Sequence, residues 1–357
     1  MGNPTWHNIH PDFKLNGTAY SRDGVRKLAN ELTMSTSHYE QTIGAFLKDW
    51  TSDESVLNVR TSGSTGAPKI IRLKKEHMVN SAQATGHYFG LRSKHSALLC
   101  LPCTGIAGKM MLVRAMVLGL TLDYVEPSSN PLSTQEQDYD FVAMVPLQVQ
   151  NSLNQLNKVK KLIIGGAAVD SNLREKLQEI PVDAYETYGM TETITHIAVK
   201  RINGKPMDYF ETLPHVSVTK DERECLVIQA PKISDKKVVT NDLVDILDAH
   251  RFKWVGRYDS VVNSGGIKLI PEQIEEKLSS LIASRFFVAG QADEALGQKL
   301  VLIIEADSVD KENLFQQMKR LPGLSKYEIP KQIYGLQRFP ETKTQKIDRK
   351  KILEQLS

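Results

Sequence analysis

A chain of 357 residues exceeds the roughly 250–300 at which a single hydrophobic core stops growing, so two domains are expected. Hydrophobic content of 41% is that of a globular protein, and a net charge of +3 is too small to argue for nucleic acid or an anionic membrane as partner. Three cysteines give no even disulfide framework, no charged-then-apolar leader opens the chain, and the most apolar run, Met110 to Leu122, is broken by Arg114 and too short to span a bilayer; a cytoplasmic protein without a membrane partner is expected.

Residues from about Tyr20 to Trp50 carry helical apolar stripes at Val25, Leu28 and Leu32 and again at Ile43, Phe46 and Leu47. Next comes NVRTSGSTGAPKIIRLKK from Asn58, a short strand, a loop of small and hydroxylated residues, and an apolar-basic strand. Gly63 and Gly66 let backbone N–H groups turn toward one point, which makes a concave anion site. The stretch is not the Walker type: its glycines are three apart, Pro68 lacks an N–H, and Ile70 stands where a magnesium-binding hydroxyl belongs. A phosphate loop of another kind and a hairpin turn with nothing bound both remain open from these residues alone.

A helix near Lys75 to Phe89, a strand around Leu98 and a helix from Gly108 to Leu118 are predicted next. Cys100 and Cys103 form C-x-x-C with no second pair at zinc spacing, and read as core cysteines at a strand end. The segments KKLIIGGAAV and VDAYETYGMTET each end an apolar strand in small or polar residues, where open α/β sheets place ligands. After a boundary at 258/259 follow a helix opened by Pro271, a strand KLVLIIEA, a helix from Lys311 to Leu321 and a charged tail. The expected division is 1–258, a large α/β domain, and 259–357, a smaller α+β domain.

Together RTSGSTGAPK, GGAAV, YGMTET, TNDL, GRYDSVVNSGGIKLIPEQIE and PETKTQK stand in the order of the adenylate-forming superfamily of acyl-CoA synthetases, peptide-synthetase adenylation domains and luciferase, which the chain resembles from about Arg60 to Lys346. Within it the compact length, YGMTETITHIA and IAGKMMLVRAMVLGL are most similar to the short bacterial o-succinylbenzoate-CoA ligases of menaquinone biosynthesis. The resemblance implies a large ATP- and acyl-binding domain and a mobile small one. It also implies ATP, Mg²⁺ and coenzyme A as co-substrates and ions, and an aryl or acyl carboxylate as the small-molecule partner.

It further implies roles by position. Thr61, Ser62, Gly63, Ser64, Thr65, Gly66 and Lys69 match the phosphate loop; Gly165, Gly166 and Ala167 the strand end flanking adenine; Tyr188, followed by Gly189 and Met190, the aromatic stacked on it. Thr191 and Glu192 match the phosphate hydroxyl and the magnesium carboxylate, Asp242 and Arg257 the ribose ligands, Asp259 the hinge, and Lys346 the adenylation lysine. Gly265 and Gly266 match the path of the pantetheine arm, the alternative being a simple type I′ or II′ turn joining two strands. Asn241 and Gln345 stand where glycine is usual. For the second carboxylate of o-succinylbenzoate the candidates are Lys109, Arg114 and His196, each equally readable as structural. An N-terminal region shorter than most members carry implies an acyl pocket walled differently or completed by the partner in a homodimer. Two other readings stay open: a ligase for another acid or for a carrier protein, and a non-catalytic nucleotide-binding homologue.

Overall fold

The computed structural model describes residues 4–60, 69–341 and 347–356. Two helices, Arg22–Thr33 and His38–Thr51, replace the single helical region read before; Ser21 and Ser37 cap them by accepting from Gly24 and Glu40 N–H groups, which is why the chain breaks at 34–37. The strands Val56–Arg60 and Ile70–Lys74 pair antiparallel on either side of the glycine loop. The helix Lys75–Phe89 follows directly, and Gly90 ends it in the left-handed conformation at φ 61°.

A large sheet organises the first part of the chain. Its central strands Asp183–Gly189, Val159–Ile164, Tyr139–Met144, Ser96–Leu99 and Thr121–Tyr124 are parallel, in that spatial order. From His196–Arg201 outward the direction alternates, through Phe210–Thr212, Arg251–Arg257, Val238–Asp248, Cys225–Gln229 and Ser217–Lys220. The parallel strands read as apolar runs because both their faces are covered. The helix Ile106–Leu118 is apolar all round for the same reason: Met110 to Met116 are buried, Arg114 among them. Cys100, Cys103 and Cys225 are buried and unbridged, as core cysteines should be.

A second, smaller sheet holds Val262–Ser264, Ile267–Leu269, Phe286–Asp293, Gly297–Glu305 and Gln332–Leu336. Alternation along Gly297–Glu305 sends Leu300, Leu302 and Ile304 against the helices Pro271–Leu278 and Lys311–Arg320, and Val301 and Ile303 toward Phe287, Phe339 and Ile352. The charged tail is a helix where it was read as a tail: in Arg349–Gln355, Asp348 accepts from Lys351 N–H, Ile352 is buried, and Arg349 forks onto Glu275 with two 2.9 Å bonds. The clusters of buried apolar residues divide between Phe252 and Val262. Across that divide Ser260 Oγ donates to Glu272 Oε1 at 2.7 Å, the Ser171 and Ser279 hydroxyls meet at 3.0 Å, and Gly256 lies against Ile270 and Glu272.

Candidate active site

The parallel strands Val159–Ile164 and Asp183–Gly189 lie side by side, so the residues after each meet at one end of the sheet. Gly165 and Gly166 follow the first, with Gly166 at φ 83°, and Thr187 closes over Gly165 while its hydroxyl donates to the Ile164 carbonyl at 3.0 Å. Tyr188 is the penultimate residue of the second. Its ring packs against Phe252 and Phe210, with centroids 5.3 and 5.8 Å away, and its hydroxyl donates to Asp242 Oδ2 at 2.7 Å. Burial first, and then the adjacent Asp242 carboxylate, hold the phenol well above its ordinary pKa, so it stays a donor.

Asp242 is buried and accepts three side-chain donors: Tyr188, the Trp254 indole Nε1–H at 3.1 Å, and Arg257 Nη1 at 3.4 Å. Arg257 is divided, because its Nε and Nη2 reach the two carboxylate oxygens of Asp259 at 3.0 and 3.1 Å. That pairing raises the arginine's pKa and lowers the aspartate's. One arginine therefore links the residues matched to ribose and to hinge.

Past Tyr188 the backbone tightens. A methyl on Gly189 would lie 2.3 Å from the Thr195 carbonyl oxygen and 2.4 Å from His196 Cα, so only glycine permits this approach. Thr191–Thr193 form one 3₁₀ turn, then Ile194 takes φ 67°, ψ −61° and Thr195 N–H bonds the Thr193 carbonyl at 2.7 Å. This is the strained γ-turn, uncommon for a β-branched residue, and such strain gathers at functional sites. It leaves Glu192 exposed and folds His196 inward. Among the described residues no three His, Cys, Asp or Glu side chains gather around a point. A lone carboxylate such as Glu192 suits Mg²⁺, which takes one or two carboxylates and fills its shell with phosphate oxygens and water.

The inward face holds a cation without an anion. Arg114 donates through Nη2 to His196 Nδ1 at 3.4 Å and to Thr195 Oγ1 at 3.5 Å, and through Nη1 to Met111 Sδ at 3.7 Å; among the described residues its Nε has no partner. Among the described residues no carboxylate pairs with it. Burial pushes its pKa down to about 9, which keeps it charged at neutral pH, and burial and then Arg114 push that of His196 far below the usual value. Lys109 does not join them: five residues back on the same helix, it is turned about 140° away. Thr61, Ser62, Gly63, Ser64, Thr65, Gly66 and Lys346 lie outside the described residues; Lys69 is exposed just before Ile70. Gly265 and Gly266 form a hairpin turn in the small sheet. Trp254, Thr195 and Thr85, which touch these groups, carried no signal in the sequence.

Small residues, an aromatic and a buried acid thus gather at the carboxyl ends of parallel strands, the end of an open α/β sheet at which ligands generally bind. Residues 16–230 match the family of AMP-binding enzymes, more than half of the chain, and the chain belongs to that family, within the adenylate-forming superfamily. It is 26% identical over 343 residues to a 2-succinylbenzoate–CoA ligase of Listeria monocytogenes, covering 87% of this chain and 72% of the relative. With one of Bacillus cytotoxicus the identity is 25% over 342 residues, covering 85% and 70%. Among solved structures, an acyl-CoA synthetase (AMP-forming)/AMP-acid ligase II-like protein from Dyadobacter fermentans is 36% identical, with a TM-score of 0.62 and 93% and 98% of the two chains covered. The o-succinylbenzoate CoA synthetase of Bacillus subtilis, in complex with its acyl-adenylate intermediate, is 21% identical with a TM-score of 0.71, covering 83% and 68%.

Proposed function

We propose that this protein is an ATP-dependent acid–CoA ligase whose acid is 2-succinylbenzoate. Membership in the AMP-binding family and the relatives' names support the ligase class. The observation that carries the substrate is Arg114, a buried guanidinium with no acid beside it among the described residues. Burying an uncompensated charge is costly, and the cost is recovered when an anion arrives. An acid with a second carboxylate, left free when the first is activated, supplies that anion; a monocarboxylate does not.

The reaction has two displacements. One carboxylate oxygen of the acid attacks the α-phosphorus of ATP and pyrophosphate leaves; the coenzyme A thiol, losing its proton, then attacks the acyl carbon and AMP leaves. Thr61 to Gly66 and Lys69 follow the departing phosphates, Asp242 and Arg257 take the ribose hydroxyls, Tyr188 faces the base, and Lys346 steadies the carboxylate against the α-phosphate. Glu192 would hold Mg²⁺, which neutralises phosphate charge when bound. The unit from 259 onward turns at Asp259 between the two steps, bringing Gly265 and Gly266 to the thiol.

Mass-spectrometric detection of acyl-AMP and acyl-CoA, across a panel of mono- and dicarboxylic acids with ATP, Mg²⁺ and coenzyme A, tests this. Preference for a monocarboxylate removes the substrate; acyl-AMP without thioester points to a carrier protein; nucleotide binding without pyrophosphate release removes catalysis.

A further inference from the structure

The strand that carries the buried acid does not run evenly past its neighbour. Cys225 pairs with Leu243 but Val227 pairs with Val239, so four steps on one strand face two on the other. Thr240, Asn241 and Asp242 stand opposite Leu226 alone, a surplus of two residues and so a bulge, and bulges beside sites serve to re-aim a side chain. Peptide groups in a bulge lose their ladder partners and need others. Thr240 meets part of that need, its hydroxyl accepting from Asp242 N–H at 3.0 Å and donating to the Leu226 carbonyl at 2.9 Å.

Arg223 meets another part. Its Nη2 donates to the Thr240 carbonyl and its Nη1 to Asn241 Oδ1, each at 3.0 Å, while Asp221 accepts its Nε at 2.9 Å. The guanidinium lies 5.3 Å from the centre of the Tyr258 ring, next to Asp259. A glycine at 241, usual in sequences this chain resembles, would offer Arg223 no side-chain acceptor. The departure at 241 and the arginine at 223 thus belong to one device.

The geometry points to Arg223 as a positioning residue for the nucleotide's ribose: with Asn241 it holds the bulge that presents the Asp242 carboxylate to the ribose hydroxyls. This rests on the reading of Asp242 as the ribose acid. Among the described residues no bond joins Arg223 to the Asp242 carboxylate, so its action runs through the backbone.

Calorimetric binding of AMP and of 2′,3′-dideoxy-AMP to the full chain separates this role from general support. Arg223→Ala weakens AMP on the order of 10-fold and leaves dideoxy-AMP within about twofold. Asn241→Gly weakens AMP less, and adding it to Arg223→Ala costs nothing further, since its acceptor has no donor left. Near-ultraviolet circular dichroism checks folding, and Arg223→Gln, which keeps an amide donor on a shorter side chain that cannot serve both acceptors, takes the place of an alanine variant that does not fold. Equal weakening of both nucleotides, or unchanged AMP affinity in a folded variant, overturns the proposal. If Asp242→Asn still binds AMP more tightly than dideoxy-AMP, the ribose reading fails first and takes this inference with it.

Discussion

Arg114 Nη2 lies 3.4 Å from His196 Nδ1, and this sets the proton of the imidazole. A guanidinium only donates, so Nδ1 accepts and the ring proton sits on Nε2, which faces Thr85 Oγ1 at 3.4 Å. The Thr85 hydroxyl in turn donates to the Ser81 carbonyl at 3.0 Å. Three elements far apart in sequence thus share one directed chain of bonds that requires a neutral histidine.

Stability follows from that requirement. His196 is buried with its pKa far below 6.5, so the unfolded chain binds a proton there that the folded chain refuses. Stability is therefore full above the unfolded pKa and falls as pH drops below it, by up to about 1.4 kcal/mol per pH unit. Urea unfolding between pH 5 and 8 should show this slope, and His196→Gln, which keeps a donor and an acceptor, should lack it. Identical slopes for both proteins would show that His196 titrates freely.

Arg114→Met should separate stability from function. Removing a buried charge with no acid partner leaves the thermal midpoint unchanged or higher, because methionine fills the space without a desolvation cost. Loss of the charged donor should raise the KM for the dicarboxylic acid roughly 10–100-fold, with that for ATP unmoved. Pyrophosphate exchange and a melting curve give both readouts. A destabilised variant with normal acid affinity would make the arginine purely structural.

Tyr188 offers two separable contributions. Tyr188→Phe keeps the packing on Phe210 and Phe252 but removes the donor to Asp242, a loss of about 1 kcal/mol in stability. If the ring's face serves the base, AMP affinity survives this change and drops with Tyr188→Ala, by about 1–3 kcal/mol of stacking. Equal affinity in all three proteins would move the base elsewhere.

How far these features could be read in advance depends on where their partners lie. The helix Lys75–Phe89 falls where its apolar period put it, and Ile106–Leu118 starts two residues before Gly108 because Gly105, with extended backbone, is its N-cap. Arg114 was visible as an anomaly, a charge inside an apolar run. The hold on Asp242 was not: Trp254 and Tyr188 reach it from 12 and 54 residues away, through strand register that no local pattern encodes. The last helix was missed because Arg349 is fixed by Glu275, 74 residues earlier. Lys69 and Glu192 rest on motif position alone; Lys69 stands just before the strand Ile70–Lys74 and Glu192 in the middle of the turn Thr191–Thr193.

Lys346→Ala tests the lysine matched to adenylation. Losing one preorganised cationic donor at a transition state costs on the order of 10²–10³-fold. Acyl-AMP formation should fall by that amount, while thioester formation from supplied acyl-AMP is nearly spared. Adenylation at the parental rate would remove the assignment.

The turn at Gly265 and Gly266 allows the sharpest test of the thiol path. Both have positive φ, 58° and 83°, the pairing of a two-residue type I′ hairpin between Val262–Ser264 and Ile267–Leu269. Gly265 is hemmed in, its N–H bonded to the Leu296 carbonyl at 2.9 Å and an added methyl 3.1 Å from Leu296 Cδ2. Around Gly266 an added methyl meets nothing within 4 Å among the described residues. A side chain there therefore costs only backbone strain, on the order of 1–3 kcal/mol for valine and less for asparagine, which tolerates this region. An effect confined to the thioester step is therefore not explained by strain in this turn, which would act on both half-reactions. Gly266→Val should keep pyrophosphate exchange, accumulate bound acyl-adenylate and make thioester slowly, and Gly266→Asn, with little strain but a similar side-chain volume, should slow the thioester step as well. A valine variant impaired in both half-reactions beside a normal asparagine variant would assign the glycine to the turn alone and take the pantetheine away from it.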